Sequence, residues 1–193
     1  MPPKFKFTKT EIIEASFERV RNGGWKALST RSVAETLGSS ARPIYSFFKS
    51  MTELEEEVVK KAVDLLYSYM IKKRTGDPWY DHGIGYVMFG LKEKFLFRGL
   101  NDEKHIQWFR KYGEIIWDQL TASLVEYPFF KGLSEERIYK IQFMRWLFTH
   151  GLAFQACNQP PGVFNEENIT ALVKEGSMAL FDGLEIQRNL KSR

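Results

Sequence analysis

Apolar residues recur at helical spacing through nearly the whole chain, and no strand-length alternation is bounded by hairpin turns, so the sequence predicts an all-α fold. Thr8 and Glu11 form a capping-box pattern ahead of Ile12, Ile13, Phe17 and Val20, and Asn22-Gly23-Gly24 ends that helix. Ser29 or Thr30 caps a second helix with Val33, Ala34 and Leu37 inward, stopped by Gly38. Ser39 or Ser40 then caps a third, very short helix. Ser50 and Glu53 make another capping box and open a long helix to about Arg74. Thr75-Gly76-Asp77-Pro78 is the plainest boundary in the chain, with Asp77 as cap and Pro78 in the first turn of the next helix. Further helices are expected at about 77–99, 102–112, 114–126 and 134–157. Asn158-Gln159-Pro160-Pro161-Gly162 breaks the chain before a last helix from Asn165 to about Arg188. The expected organisation is a three-helix head over 1–50, a connecting fourth helix over 51–74, and a larger helical body over 75–193.

Charge sharpens this division. Residues 1–50 hold nine Lys and Arg against four Glu, a balance of +5, which leaves −1 of the net +4 for the rest of the chain. A basic head on a near-neutral body points to a polyanionic partner. The stretch TRSVAETLGSSARPIYSFFKS, residues 30–50, has the spacing of a helix-turn-helix, in which the second helix enters the DNA major groove. Ala34 is the small residue where the two helices pack, Gly38 suits the turn, and Ile44 is the apolar anchor of the short helix. Pro43 falls in the first turn, where backbone N–H groups lack intrahelical partners, and is expected to push Arg42 away from helical dihedrals.

The run GSSARPIYSFFKSMTEL resembles the signature of the TetR family of transcriptional regulators over about residues 8–60: a glycine turn, a short recognition helix, an aromatic pair, and a long fourth helix at once. The resemblance implies that Tyr45 bonds a backbone phosphate and that Phe48 anchors the short helix. Thr30, Ser40 and Lys49 would also meet phosphate. Ala41, Arg42 and Pro43 would touch base edges, with Arg42 suited to a bidentate contact to guanine. Phe47 and Met51 depart from the family, which usually carries a histidine and a lysine there, both phosphate contacts. Lys4, Lys6 and Lys9 are expected to compensate, Lys6 being the arm residue placed on DNA.

The resemblance also implies a homodimer on a palindromic operator, with the last two helices as the partner surface. Residues 138–157 are apolar almost all round, which calls for burial on more than one side. The expected interface residues are Ile141, Phe148, Leu152, Val173, Gly176, Leu180 and Gly183, the glycines letting another helix approach closely. Aromatic residues make up 15% of the chain and crowd residues 79–157. Tyr86, Phe89, Trp108, Tyr112, Trp117, Phe143, Trp146 and His150 are therefore the candidates to line a pocket for a small hydrophobic or aromatic ligand. Arg145, inside an apolar helix, is expected in a salt bridge or at a subunit boundary, an anionic ligand group being the alternative.

Other classes have less support. Three scattered histidines and one cysteine give no metal-ligand spacing, and no GxSxG, HExxH or phosphate-cradling glycine loop occurs, so neither an enzyme nor a metal or other cofactor is expected. Gly83, Gly85 and Gly90 lie in a helical pattern and are expected to allow close packing or a kink. Cys157 alone cannot form an internal disulfide and fits a reducing cytoplasm. No apolar run is long enough to span a membrane and no leader is read at the N-terminus, so a cytoplasmic location is expected. A body that binds a protein instead of a small molecule remains the alternative to a ligand sensor.

Overall fold

The computed structural model describes residues 7–124 and 127–191, with side chains described to residue 183. Its elements are α1 (Lys9–Gly23), α2 (Thr30–Thr36), α3 (Arg42–Phe47), α4 (Met51–Ile71), α5 (Pro78–Lys92), α6 (Lys94–Leu100), α7 (Ile106–Leu124), α8 (Glu135–Asn158) and α9 (Glu166–Lys191), with short 3-10 turns at Trp25–Ala27 and Pro128–Phe130. Among the described residues there is no strand, and no helix is long and apolar enough to cross a membrane. The chain falls into two compact units. Unit 1 takes the residues up to Leu65 together with Glu93–Glu114, and unit 2 takes Leu66–Lys92 and the residues from Ile115 onward.

In unit 1 the capping signals act as their chemistry requires. Thr8 Oγ1 accepts from the Glu11 N–H at 3.2 Å while the Glu11 carboxylate accepts the Thr8 N–H at 2.7 Å, satisfying donors that a helix start leaves open. Ile12, Phe17 and Val20 form the buried face of α1. Ser29 caps α2, and Ser32 returns the bond to the Ser29 N–H. Neither Ser39 nor Ser40 caps α3: its N-cap is Ala41, with no side-chain bond, and Arg42 is already helical in front of Pro43. Ser50 caps α4 through the Glu53 N–H, but the Glu53 carboxylate reaches the Lys49 N–H and not the expected Ser50 N–H.

The helix expected over 77–99 stops at Lys92. Glu93 leaves helical dihedrals (φ −111°, ψ 50°), and its buried carboxylate takes two hydrogen bonds from Arg21, at 2.6 and 2.7 Å. That fork holds the Arg21 guanidinium more firmly protonated than usual, through the hydrogen bonds of Glu93. Gly99 of α6 lies directly under Trp25. A Cβ there would stand 1.5 Å from the indole Nε1, and the indole stacks on His105 at 3.8 Å. The helices expected at 102–112 and 114–126 are one helix, α7, which runs through Gly113.

Unit 2 is built around α5, whose residues 81–90 are all buried. An apolar helix without a polar face needs neighbours on every side, and α8 and α9 pack against it. Asp77 caps it through the Trp79 N–H at 2.9 Å, and Asp81 accepts from Thr75 N and Oγ1, both at 2.8 Å, fixing the preceding turn. The glycines let the neighbours close in. Gly83 faces Val173 and Thr149, Gly90 faces the Ala153 backbone, and Gly85 faces the last turns of α4. A second cluster joins Trp79, Leu124, Phe130 and Ile141.

Candidate functional site

In unit 1 the α2–turn–α3 segment forms the geometry its spacing predicts. Gly38 holds φ 58°, the left-handed turn position, and the Ser39 N–H returns to the Ala34 carbonyl at 3.0 Å. Val33, Ala34 and Ile44 are buried, and Phe48, 1% exposed, ends α3 as its anchor with the Lys9 ammonium over its ring. Anchored from below, α3 turns its other face outward. Arg42, Tyr45, Ser40 and Lys49 are exposed, and Ala41 and Pro43 are half-buried beside them. Tyr45 OH lies 3.1 Å from Thr30 Oγ1, so two hydroxyls fifteen residues apart converge on one spot of the surface. No carboxylate lies within ion-pair reach of Arg42 or Lys49 among the described residues, whereas Arg31 is held by Glu35. Lys9, expected as a free arm cation, pairs with Glu57; Lys4 and Lys6 lie outside the described residues. Phe47 is half-buried, and Met51 begins α4.

The ring candidates divide between the units. Trp108 and Tyr112 belong to unit 1, where Trp108 lies 5.8 Å from the His105 ring and Tyr112 donates to Glu56 at 2.9 Å. The others belong to unit 2. There the Tyr86 hydroxyl and His150 Nδ1 meet at 2.9 Å, and His150, Trp146, Phe143 and Tyr139 follow one another along α8 at ring separations of 5.2 to 6.1 Å, with Trp117 against Tyr139. Phe89 is fully buried against Tyr69. Burial pushes the Tyr86 hydroxyl well above its usual range and His150 below its own, so both are neutral at pH 7.

Of the expected partner-facing residues, two are core, four are half-buried and one is exposed. Ile141 and Val173 are core, and Phe148 fills the space over Gly176, where a Cβ would stand 2.2 Å from its ring, so this glycine admits a side chain of its own chain. Leu152 and Leu180 are half-buried, and Gly183 is exposed. Nor is α8 buried on more than one side within this chain: Tyr139, Phe143, Leu147 and Phe154, a stripe that helical periodicity does not single out, are 40% to 57% exposed.

Arg145 forms no ion pair among the described residues. Its guanidinium is buried, donates to the Trp79 carbonyl, and lies 3.8 Å from the Trp79 ring centroid. Asp77, whose charge it feels, spends one oxygen on the Trp79 N–H and the other on Tyr127 OH at 2.7 Å. Among the described residues no group of His, Cys, Asp and Glu is arranged to hold a metal ion.

No family model matches this sequence, and no curated protein matches it. Solved structures do. A transcriptional regulator from Rhodococcus sp. Rha1 superimposes with a TM-score of 0.68 at 17% identity, covering 92% of this chain and 97% of its own. A regulator from Rhodococcus sp. described as TetR-family gives 0.64 at 15% identity, covering 89% and 97%. A TetR variant from Acinetobacter baumannii AYE in complex with minocycline gives 0.60 at 16% identity, covering 95% and 99%. Along about nine-tenths of its length, this chain has the fold of the TetR-family transcriptional regulators.

Proposed function

We propose that the protein is a TetR-like transcriptional regulator that binds operator DNA as a homodimer through α3, and whose DNA affinity responds to a small hydrophobic or aromatic molecule held in unit 2. The observation that carries this reading is the outward face of α3. A buried anchor of Ile44 and Phe48 supports a short helix whose exposed side holds Arg42 and Lys49, with no acidic partner among the described residues, beside the Tyr45–Thr30 hydroxyl pair. Hydroxyls and Lys49 suit phosphate, which positions a head without reading sequence, while a guanidinium at the start of α3 suits a guanine edge. The exposed stripe of α8 is the surface a second copy would cover, since apolar side chains left in water at this density mark an interface.

The test is selection of bound DNA from a random pool with the purified protein, repeated at two salt concentrations. A palindrome retained at the higher salt is the expected result. Weak, strongly salt-sensitive binding without a motif would reduce the head to an electrostatic patch. With an operator in hand, Arg42→Ala should weaken binding by about 1–3 kcal/mol and relax preference at one position of each half-site. A uniform loss across all sequences would instead make Arg42 a phosphate contact. Leu147→Asp on the α8 stripe should shift the protein to monomer in sedimentation equilibrium at micromolar concentration. Persistence of the dimer would move the interface elsewhere.

A further inference from the structure

Within unit 2, α5 and α8 enclose a set of polar groups that the core does not satisfy. Arg145 carries five N–H donors in a planar fork, yet among the described residues it meets a single acceptor, the Trp79 carbonyl, and no carboxylate. One turn earlier on α8, Gln142 is 3% exposed. Its Oε1 accepts from Thr121 at 3.1 Å, while its Nε2 has no partner among the described residues. One turn after Trp79 on α5, His82 is 5% exposed and its Nδ1 has no partner among the described residues. The neighbouring acids are committed elsewhere, Asp77 to Trp79 N and Tyr127, and Asp81 to the backbone of Arg74 and Thr75.

A buried cation without a direct ion-pair partner is costly, and so is each buried polar atom left unpaired. Three such groups lie on two packed helices, Gln142 one turn from Arg145 and His82 one turn from the residue whose carbonyl Arg145 meets, and they share one remedy. We infer that Arg145, Gln142 and His82 together receive the carboxylate of a flat, apolar organic acid, which makes aromatic carboxylates the effector class of unit 2. This rests on reading unit 2 as the ligand-binding body, and it adds the chemistry of the ligand. A planar guanidinium accepts a carboxylate in a two-bond fork, and the Gln142 amide supplies a further N–H. The charge count favours one negative charge over two: Arg145 is the one cation, and Asp77 and Asp81 already act on this region, so a phosphate dianion would bury uncompensated charge. Desolvation lowers Arg145 only to about 9, so it stays charged at pH 7, and burial with the Arg145 charge lowers His82 to about 4, so it stays neutral. The rings of Trp79, under the guanidinium, and of the Tyr86–His150 pair, two turns further along α5, make the surroundings of these groups aromatic, which suits the apolar part of such an acid.

Titration calorimetry of the full chain with cinnamate and with its uncharged isostere cinnamamide tests this directly. Wild type should bind cinnamate at least ten-fold more tightly, and Arg145→Met should erase that preference while changing cinnamamide affinity by less than about three-fold. Arg145→Met removes an unpaired buried charge and should fold. Should it not, Gln142→Leu provides the reading, with cinnamate weakened several-fold and cinnamamide unchanged. Equal binding of acid and amide, binding of neither, or a preference that survives Arg145→Met would each overturn the inference. Operator binding measured on the same preparations separates the two claims. A palindrome bound by a protein indifferent to cinnamate refutes the carboxylate site alone. Cinnamate preference in a protein that selects no DNA refutes the regulator reading and leaves the site standing.

Discussion

Gly85→Ala should destabilise the protein by about 3 kcal/mol, read as a lowered urea midpoint with an unchanged slope. The added Cβ would stand 2.1 Å from the Tyr69 carbonyl oxygen and 2.5 Å from Met70 Cα. Both are backbone atoms of α4, so no rotamer change relieves the clash. The two helices must part by about 1 Å, and residues 81–90 of α5, all buried, must move with them. Overpacking of this kind costs roughly 1–3 kcal/mol and more where nothing can rotate away. The helical preference of Ala over Gly returns at most about 1 kcal/mol. Gly113→Ala is the control: it lies within α7 with only the Phe109 ring at 3.8 Å, so the same substitution should be neutral or stabilising by up to about 1 kcal/mol. A Gly85→Ala protein as stable as wild type would show that α4 and α5 can separate freely there.

That contact marks the boundary of what the sequence discloses. Glycines at 83, 85 and 90 inside a helical pattern announce close packing, because a helix tolerates them at a cost only where something approaches. What approaches is a matter of tertiary arrangement. The same holds at Glu93: the run Leu91-Lys92-Glu93-Lys94 carries no breaker, and the helix ends there in company with a carboxylate bound by Arg21, seventy-two residues away. Caps were legible because their donors and acceptors lie within four residues, as at Thr8–Glu11, Ser29–Ser32 and Asp77–Trp79. Where Ala41 starts α3 without a side-chain bond, local chemistry gave the wrong residue.

The head was legible for the same reason. Ala34, Gly38 and Ile44 act across ten residues, and their spacing alone specifies the turn and its buried anchor. The pairing of Thr30 with Tyr45 was not in the spacing; resemblance placed both near phosphate, and the structure brings them together. In the body, helical periodicity identifies apolar faces without saying which of two faces is covered. Ile141 and Phe143 sit two residues apart on α8, one in the core and one exposed, and both fit the pattern equally well. Arg145 was visible as a charge in an apolar helix. That it pairs directly with no carboxylate among the described residues could be seen only once Asp77 and Asp81 were found bound to other groups.

Acidification from pH 7 to pH 4 should cost the protein roughly 3 kcal/mol through His82, about two thirds of it above pH 5, before most carboxylates titrate. Burial, aided by the positive charge of Arg145 and opposed by Asp81 and Asp77, lowers His82 from 6.5 to about 4. The unfolded chain therefore takes up a proton as pH falls through about 6.5, while the folded chain refuses it until about 4. The stability His82 contributes is complete above 6.5, declines between 6.5 and 4, and is constant below. About 2.5 pH units at 1.36 kcal/mol each give the stated magnitude. His150, also lowered by burial, acts in the same direction. Asp81, held below its usual range by hydrogen bonds from Thr75, Arg74 and Gly76 that outweigh its burial, loses its contribution only at still lower pH, so the two processes separate along the curve. Urea midpoints at pH 7, 5 and 4 supply the measurement, and His82→Leu should flatten most of the slope between the first and last. The substitution leaves no hydrogen bond broken at Nδ1, since that atom has no partner. A variant that retains the wild-type slope would place the acid-sensitive group elsewhere, and His82 would then have to be reached by water in the folded protein.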